Sequence, residues 1–222
     1  MDAAAIHAKI YSGRAKVGAR LGLDYVVYRP AQAGNPMANQ ITTIKAAFNA
    51  RDNSYKAPNK QGNAFWHGDF DGRLTLPGDY LVGNGKIYYI AAQQHLLPIL
   101  CVECNRSARV SRAAPEAVGA VGAVGYSGLC DSPTERDDVL GTSGEAFIGW
   151  PCSVLFGGRS GPAVGLPGDV RNSGRMILLP PSVRVTIGAG DIVTDDLGNR
   201  YAVDGAELSD HGWRISAQEV HA

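Results

Sequence analysis

The sequence of 222 residues lacks both an excess of charge of one sign and any long apolar run. Lysine and arginine together number 21, and aspartate and glutamate also number 21, so the formal net charge is zero. Without a global field, nothing steers the chain toward nucleic acid or an anionic membrane. No apolar run approaches the roughly 18 residues that a membrane-spanning helix requires. We therefore expect no membrane and no specific nucleic acid among its partners.

The start of the chain also lacks the features of a secretory signal peptide. There is no basic segment followed by a continuous apolar segment, because Lys9, Arg14 and Lys16 interrupt the apolar positions. We expect a protein that folds in a cytoplasm. In that reducing compartment the default state of a cysteine is a free thiol in the core, and bond formation is left open for all four. These cysteines are Cys101, Cys104, Cys130 and Cys152.

Glycine and proline are frequent, with 28 and 12 residues, and apolar residues make up 45% of the chain. That composition is typical of a globular protein with many short strands and turns. The predicted fold class is mainly β with an N-terminal helix, built as antiparallel small barrel or sandwich units, possibly two related ones.

The N-terminal segment predicts a helix that Asp2 caps and Gly22 ends. Gly13 and Gly18 weaken it by roughly 1 kcal/mol each relative to alanine. Such a helix needs a docking surface, either its own barrel or a neighbour. Its apolar positions at helical spacing are Ala5, Ile6, Ile10, Val17 and Leu21, of which Ile6, Ile10 and Val17 are candidate interface residues.

A β-hairpin is predicted after the turn at Pro77-Gly78-Asp79. The strand Tyr80-Leu81-Val82 is followed by the turn Gly83-Asn84-Gly85 and by the strand Ile87–Ile90. The same unit recurs near the C-terminus. Its parts there are Gly190-Asp191-Ile192-Val193, a turn at 195–199, Arg200–Val203 and a following strand at Trp213–Ile215. The repeat favours two related small barrels or two halves of one sandwich.

The other segments complete a predicted division of the chain. Residues 31–73 are expected to be largely irregular, with a short helix or strand near 42–48, and residues 113–145 to be a loop or linker. A loop is also expected at 157–162, and strands at 25–28, 99–105, 146–148, 153–156 and 176–179. The predicted units are 1–30 (helix and first strand), 31–112 (first β unit), 113–145 (linker) and 146–222 (second β unit).

The hairpin segments resemble those of tailed-bacteriophage head–tail joining and tail proteins. The similar stretches are Pro77–Gly85, Gly149–Ser153 and Gly190–Gly198. The resemblance implies a non-catalytic virion protein, present as a homo-oligomeric ring at the neck or at the tail tip and baseplate. It implies tail tube, hub, baseplate or connector proteins as partners, and no catalytic residues. The helix and residues 31–73 depart from minimal head–tail joining proteins, so both locations stay open.

Two cysteine patterns are candidates for metal binding or catalysis. Cys101 and Cys104 have the CxxC spacing of half a zinc site, but no second pair follows, and positions i and i+3 of a strand point to opposite faces. Cys152 as a peptidase nucleophile would need a histidine base and a helix N-terminus, whereas a strand follows it, and only His211 and His221 lie downstream. We expect buried thiols and no metal.

Three polar motifs favour turns or loops over ligand sites. His67–Gly72 and the group Asp191, Asp195 and Asp196 carry possible metal ligands, but their residue types are those of turns, and the spacing of the aspartates does not match an EF-hand. Gly157–Pro162 lacks the Gly-Lys-Ser/Thr ending of a phosphate loop. We expect no cofactor.

The functional prediction is therefore a structural protein and not an enzyme. One alternative is a tail-associated peptidoglycan hydrolase with Glu103, Glu145 or Cys152 in the reaction, although no second carboxylate accompanies either glutamate. Another is a carbohydrate-binding module that uses Trp66, Trp150 or Trp213. Candidate interface aromatics are Tyr88, Tyr89, Tyr201 and Trp213, with one of the adjacent pair Tyr88 and Tyr89 expected in the core and the other exposed.

Overall fold

The computed structural model describes residues 2–49, 63–94, 96–113, 136–142, 149–159 and 173–220. These residues form one α-helix, one short 3-10 helix and a set of antiparallel strands. The helices are α1 (Ala3–Leu21) and the 3-10 helix Gly72–Leu74. The strands are β1 (Leu23–Tyr28), β2 (Gln40–Asn49), β3 (Phe65–Asp69), β4 (Tyr80–Gly83), β5 (Lys86–Ala92), β6 (Ile99–Cys104), β7 (Arg106–Ala113), β8 (Arg136–Asp138), β9 (Trp150–Arg159), β10 (Ser173–Leu179), β11 (Ile192–Asp195), β12 (Arg200–Ser209) and β13 (Gly212–Val220). The predicted fold class, mainly β with an N-terminal helix, is confirmed.

The first six strands close into a barrel in the order β1-β2-β3-β6-β5-β4. Alternate side chains of each strand point into the barrel and form its core, as the two-residue period of a strand requires. Buried inward residues are Tyr25, Val27, Ile44, Ala46, Leu81, Tyr88, Ile90, Ile99 and Cys101.

The second sheet has the order β11-β12-β13-β10-β9-β7-β8. Strand β7 pairs with β9 through residues 106–108 and with β11 through residues 108–111. The pairing with β11 joins β7 to the far end of the sheet, so six strands form a closed ring and β8 lies outside it. Buried inward residues of this second barrel are Ala108, Val110, Trp150, Cys152, Val193, Tyr201, Val203, Ile215 and Ala217.

The two barrels have the same strand order. The six ring strands of each barrel can be numbered in chain order. The hydrogen-bonded neighbours are then the first and second, second and third, third and sixth, sixth and fifth, fifth and fourth, and fourth and first strands. The registers agree as well, because Tyr88 lies opposite Glu103 and Tyr201 lies opposite Glu219. The register of the fifth strand shifts directly after Ile90 in the first barrel and directly after Val203 in the second. The hairpin repeat in the sequence therefore marks two barrels of one kind.

In the first barrel, a charged pair fixes the turn that precedes β4. The Arg29 guanidinium, directly after β1, donates from Nε and Nη2 to the two Asp79 carboxylate oxygens at 2.9 and 2.7 Å. The Asp79 carboxylate also accepts the Leu76 N–H at 2.8 Å. Gly78 has φ +90°, a value that glycine adopts without steric cost. We call this arrangement the Arg–Asp clamp.

The second barrel repeats the Arg–Asp clamp. The Arg112 guanidinium donates to the two oxygens of Asp191 at 2.7 and 2.8 Å, and Asp191 accepts the Gly188 N–H at 2.9 Å. Gly190 has φ +88°. Each hairpin thus begins with a Gly-Asp pair, and the aspartate is hydrogen-bonded to an arginine at the end of the first strand of the same barrel.

The barrels pack against each other through the outer face of β4, β5 and β6. On this face Tyr80, Tyr89 and Val102 are buried in a cluster shared with the second barrel. The Tyr80 hydroxyl donates to the Pro151 carbonyl at 2.8 Å, and the Asn105 side chain bonds both backbone groups of Val154 at 2.8 and 2.9 Å. The joint is therefore apolar at its centre and hydrogen-bonded along β9.

Helix α1 lies across the outer face of β2 and β3. The predicted start after Asp2 and end before Gly22 are confirmed, although the Asp2 side chain makes no capping hydrogen bond. Gly18 is the buried residue of α1, and a Cβ there would lie 2.6 Å from the carbonyl oxygens of Lys45 and Asp69. Glycine is required at this close approach because any larger residue would push the helix off the sheet.

Several expectations for irregular segments need correction. Residues 40–49 and 65–69 are strands of the first barrel, so the expected irregular insertion over 31–73 is wrong there, and the strand alternative near 42–48 is confirmed. Residues 157–159 continue β9, so the loop expected at 157–162 is wrong for them. The strands divide between the sheets at Asn105, whereas the predicted division ran to residue 112. The predictions for Cys130, Glu145, 146–148, 160–162 and most of 113–145 lie outside the described residues.

Candidate functional site

The cysteines are core residues of the barrels. Cys101 lies inside the first barrel, whereas Cys104 packs toward the cluster between the barrels, so the CxxC pair does point to opposite faces. Cys152 is fully buried on β9. Burial raises the pKa of the Cys101 thiol and is the largest cause of the raised pKa of Cys152. A raised pKa disfavours the thiolate, which is the opposite of what a nucleophile needs.

The segment His67–Gly72 is a strand end followed by a turn. His67 and Asp69 belong to β3, so the turn predicted for them is wrong, whereas Asp71 does cap the 3-10 helix by accepting the Arg73 N–H at 3.1 Å. The buried Asp69 carboxylate accepts a hydrogen bond from Arg14 of α1 at 2.9 Å. Each aspartate of this motif therefore has a cationic partner in the fold.

Among the C-terminal aspartates, Asp195 orders the hairpin between β11 and β12, as the turn prediction expected. Asp195 accepts hydrogen bonds from the N–H groups of Leu197 and Asn199, from the Asn199 amide and from the Tyr201 hydroxyl. Burial alone would raise the pKa of Asp195, but these hydrogen bonds outweigh it and the pKa is lowered. Burial and the bond to Asp195 raise the pKa of Tyr201 to about 12. Across the described residues, no group of three or more histidine, cysteine, aspartate or glutamate side chains is placed to hold a metal ion.

The candidate interface aromatics are buried within this chain. Tyr88 and Tyr201 are in the two barrel cores, Tyr89 lies in the joint between the barrels, and Trp213 donates its indole N–H to the Val183 carbonyl at 3.1 Å. The expectation that one of Tyr88 and Tyr89 is exposed is wrong. The outward side of β5 is covered by the second barrel, which the sequence alternation does not reveal. Of the helix candidates, Ile6 is exposed and Ile10 and Val17 are half-buried.

The residues of the two alternative functions have structural partners. Glu103 pairs with Lys86 at 2.8 Å, and Trp150 is buried with its indole N–H donating to the Ala33 carbonyl. Trp66 borders a cleft of about 370 Å³ at one mouth of the first barrel, but the Lys86 ammonium lies 5.6 Å from the centre of its ring. Within the described segments, no helix is long and apolar enough to cross a membrane.

Five exposed aliphatic side chains lie at the opposite end of the first barrel, at the start of β2, in the segment before β4 and in the loop between β5 and β6. We call this set the aliphatic rim. Its members and their exposed fractions are Ile41 (41%), Leu74 (47%), Leu76 (52%), Leu96 (65%) and Leu97 (52%). Single exposed apolar residues are ordinary, but a group of them on one end of a barrel is typical of a surface that contacts another protein.

Hydrogen bonds hold the loops of the aliphatic rim together. The Gln93 amide donates to the Thr75 hydroxyl at 2.7 Å, which joins the segment before β4 to the loop after β5. The Leu76 N–H is held by the Arg–Asp clamp. Leu96 has φ +66°, a left-handed conformation that is strained for leucine. The rim is therefore an ordered surface that displays leucine at a backbone cost.

Sequence reasoning missed the aliphatic rim. Its residues come from three separate segments, whose meeting at one end of the barrel is not visible in the sequence. The one available signal was the unusual pair Leu96 and Leu97 directly before Pro98, in a connection where polar turn residues are the norm.

In comparisons with known proteins, no family model, curated protein or solved structure matches the chain.

Proposed function

We propose that this protein is a non-catalytic structural component of a tailed-phage virion, which forms a ring at the neck or at the tail tip and baseplate and docks onto adjoining tail or connector proteins. The single observation that carries the docking role is the aliphatic rim. An ordered group of exposed leucines beside a strained backbone fits a surface that is covered in an assembly. The virion assignment rests on the resemblance of the hairpin segments.

The state of the candidate reactive groups also favours a structural role. The thiols of Cys101 and Cys152 are buried with raised pKa, and the carboxylates of Asp69, Asp79 and Asp191 are engaged by arginine. These groups stabilise barrels and turns. A buried cluster joins the two barrels of each copy, which suits a subunit that positions its neighbours.

The test replaces rim leucines with aspartate. A Leu74→Asp, Leu97→Asp double variant places two charges on the rim, while Leu197→Asp, Leu208→Asp places them on exposed leucines of the second barrel. Circular dichroism checks that both variants fold. Native mass spectrometry with a purified ring of the adjoining tail or connector protein then reports binding of each variant. Antibody labelling of phage particles reports its incorporation.

We expect the rim variant to fold and to be absent from particles, and the second-barrel variant to be incorporated as the unmodified chain is. Incorporation of both variants would remove the rim from the proposal. A chain that no particle contains, and that clears bacterial cell walls in zymography, would replace the proposal by the hydrolase alternative.

A further inference from the structure

The outer face of β2 and β3 in the first barrel is the counterpart of the outer face of β9 and β10 in the second. The shared register places Lys45 where the second barrel has Pro151, and Asp69 where it has Leu178. In the second barrel this face docks the first barrel. In the first barrel it carries α1.

The same backbone carbonyl is the contact point in both cases. The Pro151 carbonyl accepts the Tyr80 hydroxyl of the docked barrel at 2.8 Å. The equivalent Lys45 carbonyl faces Gly18 of α1, where a Cβ would lie 2.6 Å from its oxygen. Helix α1 therefore occupies the place at which a barrel docks on the homologous face.

Helix α1 has one fully buried residue, and its half-buried Tyr11 packs against the core of the first barrel and beside Gly72. Gly18 is its buried residue, and the side chain of Leu21 is 67% exposed. The anchoring ion pair is Arg14 with Asp69, and Asp2 gives no side-chain cap. A helix with two interior glycines is marginal alone, so α1 depends on these contacts with the sheet for its stability.

The second barrel carries the counterpart of the face that does the docking. The first barrel docks with an apolar set, whereas the second has smaller or more polar residues at the same register positions. Tyr80, Tyr89 and Val102 correspond to Ile192, Ala202 and Gln218. The face under α1 is likewise more polar, with Lys45 and Asp69 in place of Pro151 and Leu178. Both faces therefore offer less apolar contact than the joint does, as is typical of an interface that forms and separates, in contrast to a permanent joint.

We propose that the outer face of β2 and β3 docks the outer face of β11, β12 and β13 of a second copy, in the arrangement that joins the two barrels within one chain, and that α1 covers this face until it is displaced. The contact is head-to-tail, and a heterologous contact of this kind closes into a ring when the rotation per copy allows it. The inference rests on the proposed ring and names the surface through which copies join.

Gly18→Leu releases the helix, and Gly13→Leu is its matched control. Leucine at 18 meets two backbone carbonyls, whereas a Cβ at 13 has no atom within 4 Å, and both changes raise helix propensity. Multi-angle light scattering during size exclusion measures the mass against the 23.4 kDa of one chain, and near-UV circular dichroism confirms that the barrels are folded. We expect the mass of the Gly18 variant to rise with concentration toward at least twice the value of the Gly13 variant.

A second substitution, on the outer face of β11, β12 and β13, makes the test specific to the proposed contact. Ala202→Arg adds a large cation to the half-buried centre of the β11–β13 face, so the combined variant with Gly18→Leu should return to the mass of Gly13→Leu. Addition of a peptide of residues 2–21 should have the same effect by covering the released face. Association that neither change suppresses, or a folded Gly18 variant with unchanged mass, would overturn the inference.

If Gly18→Leu fails to fold, a chain that begins at residue 22 replaces it. Failure of both to fold would mean that α1 is integral to the first barrel, which also overturns the inference. Absence of the protein from phage particles would contradict the proposed virion function. The mass measurements would still decide whether copies join through these faces.

Discussion

Arg29 grips Asp79 with two hydrogen bonds, and so ties the end of β1 to the turn before β4 across 50 positions of sequence. The Asp79 side chain is 2% exposed and that of Arg29 is 35% exposed. The Arg29 cation therefore compensates the charge of a carboxylate that has almost no contact with water. Arg112 and Asp191 make the same contact in the second barrel, so the clamp is common to both barrels.

Asp79→Asn should lower the free energy of unfolding by about 2 kcal/mol, the usual range for a hydrogen bond to a charged group. Urea denaturation measures the loss, and Asp191→Asn should show a comparable one. A double-mutant cycle with Arg29→Met isolates the pair, and a coupling energy near zero would show that the clamp is not what Asp79 contributes.

Acid should destabilise the protein partly through Asp195. The pKa of this carboxyl is lowered in the folded chain, so its contribution is complete above the unfolded value of about 3.9 and is lost as pH falls through the lower folded value. Unfolding free energies measured in a pH series should fall less steeply below about pH 4 for Asp195→Asn than for the unmodified chain. Parallel curves would mean that other carboxylates carry the acid response.

The strain at Leu96 predicts a stabilising substitution. Asparagine tolerates the left-handed region better than leucine, and the side chain of Leu96 is 65% exposed, so Leu96→Asn should raise the free energy of unfolding by about 1 kcal/mol. Leu97→Asn is the control, because Leu97 has no positive φ and is also exposed. Thermal denaturation compares the two, and an equal effect of both would assign the gain to reduced surface hydrophobicity.

Cys101 and Cys152 should resist alkylation in the folded protein. Both thiols are completely buried and have a raised pKa, so iodoacetamide at pH 8 should modify them only after denaturation. Peptide mass mapping before and after urea treatment reports each cysteine separately. Rapid modification of native Cys152 would reveal an accessible thiolate and would revive the nucleophile alternative.

Local signals in the sequence predicted the local parts of the fold. The helix end at Gly22 and the tight turn at Asn84-Gly85, where both residues have positive φ, follow from residue types at fixed short spacing. The C-terminal copy of the hairpin was recognised in the same way. These elements were predictable because each depends on a few neighbouring residues.

Long-range partners were not predictable in that way. Strand β2 is ambiguous in the sequence because its polar outer positions blur the alternation, and the helix that packs on it comes from the distant N-terminal segment. Tyr89 was expected on the surface or in a core, whereas it lies in a joint between two barrels that no single strand encodes. The aliphatic rim depends on three separate segments meeting, which only closure of the barrel brings about.

The repeated strand order also makes the chain its own reference series. The same strand arrangement occurs twice and can be compared here under identical solvent and temperature. Gly83 and Asp195 are the corresponding last residues of β4 and β11; a turn of two residues follows Gly83, and a longer loop organised by the carboxylate follows Asp195. Exchanging such pairs between halves would measure how far each barrel has become committed to its own neighbours.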